Sequence, residues 1–359
     1  MKWRVGLLVT IATLLAGCAQ MEYYLQAARG QIALLSEARP IDDWLADPDV
    51  GNKLKARLTK VREIRRYAAR ELGLPDNASY KNYADLKRPY VLWNVVAAPE
   101  LSLKPEQWCF PIAGCVNYRG YYNKQEAMDY GAELRRAGFD VQIAGVAAYS
   151  TLGWFNDPVL STFIQYPDGE LARLVFHELA HQVAYAKDDS QFNESFATAV
   201  EEVGVERWIT AQNDERIRQT YNEFEGRKRD FLNLLLRYRQ QLQVNYAGSA
   251  SDNEKRNEKR RVFQALKEDY QLLKTSWGGY AGYDRWFADA LSNAHLAAIA
   301  TYHDYVPAFR ALLAEQKSLP VFYTAVKSMA VLDPAIRKQQ LAVLSRKAML
   351  ASAANAIVH

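Results

Sequence analysis

The amino-acid sequence predicts an α+β protein in which a small sheet is followed by a large helical half. Strand-type alternation is confined to about residues 80–165, and helix-type periodicity continues from about residue 166 to residue 359. The 359 residues are 49% hydrophobic and 24% charged, which indicates a real core and excludes disordered, collagen-like and multi-span membrane classes.

Residues 1–17 have the pattern of a secretory signal. Two basic residues precede an apolar run over 5–16, which is too short to cross a bilayer. The run leads into Leu-Ala-Gly-Cys18, an order typical of the bacterial lipobox, and Ala19 resembles the outer-membrane sorting pattern. We expect lipidation of Cys18 and an outer-membrane protein that faces the periplasm. The alternative is a signal peptide with an incidental cysteine that is cut elsewhere.

The elements after the signal begin with helices and then change period. Helices are predicted over 21–38 and 52–72. Three strands are then predicted, over 90–97, 116–122 and 140–147. A helix from about 124 to 137, which ends at Gly138, lies between the second and the third of these strands. The segment 149–157 is predicted to be irregular or an edge strand. After Pro167 the chain is predicted to be helical, with breaks near 246–251 and 277–283.

The cysteine content predicts one disulfide. With Cys18 removed from the count, only Cys109 and Cys115 remain, and in an oxidising periplasm they are predicted to form a small disulfide loop. The alternative is two reduced, buried thiols.

The charge balance gives no sign of a nucleic-acid partner. Lys and Arg number 45 against 41 Asp and Glu, and no dense basic patch occurs, so we expect no such partner.

One motif points to chemistry. The helix predicted to begin near Asp168, its candidate N-cap, contains His-Glu-x-x-His at His177, Glu178 and His181. On a helix the two histidines lie one turn apart on the same face, so both imidazoles can reach one metal ion, while Glu178 lies one step around it. The alternative is a pair of core histidines that are hydrogen-bonded to backbone or Tyr.

A catalytic zinc needs a third protein ligand and an open position. Ala184 and Lys187 stand where a metzincin would have Gly and His, so that pattern fails. A second helix, with Ser190 as its candidate N-cap, offers Glu194 after 12 intervening residues, and Glu201 seven positions later on the same face. We favour Glu194 as the ligand. Glu201 is the rival ligand, a residue that orients a histidine, a partner of a substrate amine, or a solvated residue.

These residues carry a family resemblance. His-Glu-Leu-Ala-His followed by Asn-Glu-Ser-Phe-Ala resembles gluzincin-type peptidases, and with the lipobox and segments 148–158 and 301–309 the chain resembles a family of zinc aminopeptidases found as bacterial lipoproteins. The resemblance implies a zincin-like fold, with the sheet packed on the motif helix. It implies zinc held by His177, His181 and Glu194, with Glu178 as the catalytic base.

Two functions follow as alternatives. The first is an anchored periplasmic zinc aminopeptidase that hydrolyses peptides, with Tyr302 as the donor to the oxyanion and His303 and Tyr149 as other candidates. Substrate backbone could pair with an edge strand around 145–155. The second is a non-catalytic envelope lipoprotein, a scaffold or peptide-binding module with a structural metal site. The intact Glu178 favours the enzyme, because a structural site has no use for that carboxylate.

Overall fold

The α+β prediction is confirmed by the computed structural model, which describes residues 21–110, 114–297, 299 and 305–357. Helices make up most of the described chain, and the sheets are small. None of the described helices combines the length and the apolar character needed to cross a bilayer. The predicted signal and Cys18 lie outside the described residues.

The main sheet has three antiparallel strands. Its central strand β3 (Leu92–Pro99) pairs with β6 (Arg119–Tyr121) on one side and with β7 (Phe139–Val146) on the other. The predicted strands 90–97 and 140–147 therefore correspond to β3 and β7 within two residues. In β3 the four consecutive residues 95–98 are buried, which fits its position between the two other strands.

The stretch 116–122, predicted as one strand, is divided in two. Its first residue ends β5 (Gly114–Val116), which pairs with β4 (Trp108–Phe110), and its later residues form β6 of the main sheet. Cys109 and Cys115 face each other in the β4–β5 pair and are joined by a disulfide.

A second small sheet was not predicted. It joins β1 (Arg39–Pro40), β2 (Asn82–Ala84) and β8 (Val159–Leu160), with β2 and β8 parallel. Strands of two or three residues carry too little alternation to be recognised from sequence, because their pairing depends on partners that lie far away along the chain.

Helices before the motif are numbered in chain order: α1 (residues 21–36), α2 (Ile41–Ala46), α3 (Asn52–Arg70) and α4 (Lys124–Arg136). The Asn123 side chain caps α4 by accepting hydrogen bonds from the backbone N–H groups of Gln125 and Glu126. These bounds agree with the helices predicted over 21–38, 52–72 and 124–137 to within two residues at each end.

The helical half begins with the motif helix. Its members are α5 (Asp168–Ala180), α6 (Ser190–Gln212), α7 (Glu215–Ala247), α8 (Asp252–Ser276), α9 (Asn293–Ala297), α10 (Val306–Gln316), α11 (Leu319–Ala330) and α12 (Pro334–Ile357), with a 3₁₀ turn over Asp284–Phe287. Helices α7 and α8 form a long hairpin with its own core around Leu242, Leu266 and Tyr270.

Packing of the main sheet leaves one face open. Val95, Ala97 and Val141 point to α4 and form a small core with Ala127. The residues between them on β3 and β7 face the other way and line a cavity that α5 and α6 also line. The resemblance implies a sheet packed on the motif helix; among the described residues, this second face of the main sheet borders the cavity.

Candidate active site

Helix α5 presents both motif histidines to one point. His177 lies in its last turn and His181 is the residue that ends it, so the two rings share a face. Their Nε2 atoms are 3.1 Å apart. Pro167, rather than the predicted Asp168, takes the N-cap position, and the Asp168 carboxylate pairs with Arg57.

The turn between α5 and α6 brings the carboxylate of Glu194 to this point. Asn193 is 1% exposed, and its carboxamide accepts from the Ala186 N–H (2.7 Å) and donates to the Ala186 carbonyl (2.8 Å). Asp189, rather than the predicted Ser190, caps α6 by accepting from the Phe192 N–H. These bonds fold α6 back against α5 and place Glu194 Oε2 3.3 Å from His177 Nε2 and 3.8 Å from His181 Nε2.

His177, His181 and Glu194 could hold a metal ion. One ligand atom from each lies within 4.8 Å of the other two. Ligand atoms bound at about 2.0–2.2 Å to a tetrahedral zinc lie about 3.3–3.5 Å from one another, close to the three distances found here. Two imidazoles and a carboxylate are also a donor set that zinc accepts. We call these three residues the metal cluster.

Glu201 contacts the opposite nitrogen of a cluster histidine. Its Oε2 atom is 2.7 Å from His177 Nδ1. This contact favours the tautomer with the proton on Nδ1, which leaves the Nε2 lone pair directed at the cluster. Of the alternatives left open by the sequence, the geometry therefore supports a residue that orients a histidine.

A buried ion-pair chain holds Glu201 in place. Arg173 Nη1 donates to both carboxylate oxygens of Glu201 at 2.8 Å, and Arg173 Nε donates to Glu170 at 2.9 Å. Burial alone would raise the pKa of Glu201, but Arg173 and then His177 lower it well below its usual range. Glu201 is therefore ionised when it meets His177.

The charges around the cluster favour a cation. Although burial lowers the pKa of His177, the carboxylates of Glu201 and Glu194 raise it to about 10. At His181, in contrast, burial outweighs the neighbouring carboxylate and lowers the pKa to about 4. The carboxylates that stabilise a proton on His177 would equally stabilise a divalent ion at the same place.

Glu178 lies beside the cluster without belonging to it. The side chain is buried, at 9% exposure, and it borders the same cavity as His177 and His181. Burial, with a smaller contribution from the neighbouring charge of Glu194, raises the pKa of Glu178 to about 7, against the opposing effect of His177. A carboxylate in this position has access to a molecule held at the cluster.

The cavity has a volume of about 630 Å³, within the size range of small-molecule and peptide sites. The sheet, α1, α5 and α6 all contribute to its wall. The polar and aromatic side chains of that wall outside the cluster include Asn94, Tyr118, Tyr122, Gln142, Tyr149 and Tyr185.

The candidates for an oxyanion donor are only partly described. Tyr302 and His303 lie outside the described residues, so their roles stay predictions. Tyr149 lines the cavity, and its hydroxyl is hydrogen-bonded to the Tyr122 hydroxyl at 2.7 Å and to the Gln31 side chain.

Tyr118 and Arg173 were missed from the sequence. Tyr118 lies between β5 and β6 and lines the cavity; desolvation and then the charge of Glu194 raise its pKa, so it stays a protonated donor. Its place in a predicted strand was visible, but the side of the strand on which it lies was not. Arg173 stands four residues before His177, a spacing that puts it on the same helix face and could have suggested a link to Glu201.

The fold and the site define an α+β protein with a two-histidine, one-glutamate cluster suited to a metal and a buried glutamate beside it. Residues 22–341 match the model of the family described as "Putative aminopeptidase". Since this match covers most of the chain, the protein belongs to that family. No curated protein and no solved structure matches the chain.

Proposed function

We propose that the protein is a zinc-dependent aminopeptidase, anchored by lipid at Cys18 to the outer membrane and facing the periplasm. The observation that carries the zinc-peptidase proposal is the convergence of His177 Nε2, His181 Nε2 and Glu194 Oε2 beside the buried carboxylate of Glu178. Membership of the aminopeptidase family supports peptide hydrolysis as the reaction.

The chain's own residues divide the work. His177, His181 and Glu194 hold the zinc, and Glu201 fixes the ring of His177 through Nδ1. When bound, Zn²⁺ supplies a Lewis acid that activates water and polarises the scissile carbonyl. The cavity beside these three side chains would give a peptide substrate room next to the metal.

Glu178 moves the proton. Its carboxylate accepts a proton from the attacking water and then donates it to the nitrogen of the leaving amine, so the carboxylate is regenerated after each turnover. Tyr118, whose phenolic proton is retained at neutral pH, lines the same cavity and would be available to donate to the carbonyl oxygen as that oxygen gains charge. Tyr302 remains the donor that the sequence predicts.

Zinc content and hydrolysis, measured together, test this function. We expect about one zinc per chain and release of N-terminal residues from unblocked peptides. Removal of the metal with a chelator should abolish hydrolysis, and added zinc should restore it. Zinc binding without cleavage of any free or blocked peptide in a broad library would contradict the enzyme and support the scaffold alternative.

The anchor is tested separately. Cys18→Ser removes the thiol that would accept lipid, so the protein should leave the membrane fraction or remain unprocessed. The matched control is Cys109→Ser with Cys115→Ser, which removes the disulfide and should leave membrane retention intact. Unchanged processing and retention of the Cys18→Ser protein would show that the lipoprotein assignment is wrong.

A further inference from the structure

Helix α1 closes the outer edge of strand β6 next to the metal cluster. Strand β6 is the last strand of the sheet order β6-β3-β7. Gly120 in this strand lines the same cavity as the cluster, and so do Tyr23 and Ala27 of α1. Helix α1 and β6 therefore form one wall of the candidate active site.

Gln26 occupies the backbone groups that β6 turns outward. Tyr121 pairs inward with Trp93 on β3, so its neighbours direct hydrogen-bonding groups to the open edge. The Gln26 carboxamide donates to the Gly120 carbonyl (3.3 Å) and accepts from the Tyr122 N–H (3.2 Å). One residue of an added parallel strand would make the same two bonds, so the side chain takes the place of a paired backbone.

Further contacts keep α1 on this edge. Gln31 Oε1 accepts from the Tyr122 hydroxyl at 2.7 Å, and the Arg119 guanidinium lies 4.1 Å from the ring centre of Tyr23. Gly30 allows the close approach, since a Cβ atom built there would lie only 2.1 Å from Tyr122 Cγ. Any larger residue at position 30 must push the helix or the tyrosine away.

We propose that α1 restricts the cavity to the ends of peptide chains, with Gln26 and Gly30 as the specificity-determining residues. The proposal rests on the proposed aminopeptidase function and assigns the residues that confine it to chain ends. A peptide cut in its middle must run past the cluster in both directions, and extended peptides commonly do so by pairing with a strand edge. Because Gln26 fills the β6 edge, a chain cannot continue along it. A peptide that is cut at its end runs past the cluster in one direction only, so it does not need the β6 edge.

Two variants test the proposal independently. Gln26→Ala frees the backbone of β6, and Gly30→Ala forces α1 and Tyr122 apart. Gly226→Ala is the matched control, since Gly226 lies within helix α7 and a Cβ atom there meets nothing within 4 Å. Two readouts are compared: hydrogen exchange at the Tyr122 amide, and kcat/KM for a long peptide blocked at both ends relative to a free dipeptide.

Both α1 variants should speed exchange at Tyr122 and raise the blocked-to-free ratio of kcat/KM by about tenfold or more, while the control changes neither. If exchange at Tyr122 is faster but the ratio does not rise, the proposal is overturned while the aminopeptidase function stands, because the β6 edge would then be accessible and the blocked peptide would still not use it. A wild-type protein that cleaves the blocked peptide as well as the dipeptide would also overturn the proposal, and it would reduce the proposed function to a peptidase without a preference for chain ends. Zinc binding without cleavage of either substrate would contradict the proposed function itself.

Discussion

Glu178 is the residue whose substitution separates catalysis from metal binding. Because its carboxylate lies beside the cluster and outside it, Glu178→Gln should keep the fold and the zinc content. Loss of the proton acceptor should lower the rate of hydrolysis by about 10²–10⁴-fold, or roughly 3–5.5 kcal/mol in transition-state stabilisation. His177→Ala is the contrast, since it should lose the zinc as well. Peptide hydrolysis at wild-type speed by a zinc-loaded Glu178→Gln protein would exclude this role.

The two glutamates of α6 should affect zinc affinity to different degrees. Glu194→Gln weakens a direct ligand and should nearly abolish binding. Glu201→Gln removes the carboxylate from His177 Nδ1 and should lower affinity by about 10–100-fold. Glu202→Gln is the control, because that neighbour pairs with Arg310 instead. Isothermal titration with zinc measures all three, and a larger loss at Glu201 than at Glu194 would reverse the assignment.

At the scale of elements, the α5–α6 turn positions the third ligand, and Asn193 is its main support. Asn193→Ala leaves the N–H and the carbonyl of Ala186 buried without partners. Each unpaired group should lower the free energy of unfolding by about 1–3 kcal/mol. Urea unfolding should therefore show a loss of several kcal/mol, together with weaker zinc binding. Asn123→Ala, which removes only the cap of α4, should cost about 1 kcal/mol and leave zinc binding unchanged. Equal effects of the two substitutions would show that the turn does not depend on Asn193.

At the scale of the whole molecule, His295 links the sheet to the helical half and makes stability depend on pH. It is 4% exposed in α9, which contacts both β3 and β7, and its Nδ1 accepts from the Ser292 N–H. Burial lowers the pKa of His295 from 6.5 to about 4. The folded state thus resists a proton that the unfolded chain accepts.

The contribution of neutral His295 to the free energy of unfolding is fully present above pH 6.5 and is lost as the pH falls toward 4. The loss can reach about 3 kcal/mol, at about 1.4 kcal/mol per pH unit. Chemical unfolding at pH 7 and pH 4.5 should show a steeper decline for wild type than for His295→Gln, because other titrating groups cancel in the comparison. Parallel declines would contradict a buried, neutral histidine.

The sequence by itself determined what depends on local periodicity. Helical spacing places His177 and His181 on one face, and the β-branched and aromatic residues within 90–97 and 140–147 locate the two long strands of the main sheet. Such features need only neighbours along the chain, since a helix or a strand repeats its own geometry every few residues. The α+β class followed from the same periodicities.

Only the tertiary structure decided which groups meet across elements. Glu194 and Glu201 share a face of α6 but lie about 10 Å apart along its axis, so the packing of α6 on α5 directs one to the Nε2 atoms and the other to Nδ1. The division of 116–122 into two strands, the cavity beneath the main sheet, and the seat of α1 on β6 likewise rest on contacts between residues far apart in sequence. No local pattern encodes such contacts, because their free energy arises from surfaces that exist only after the elements have packed.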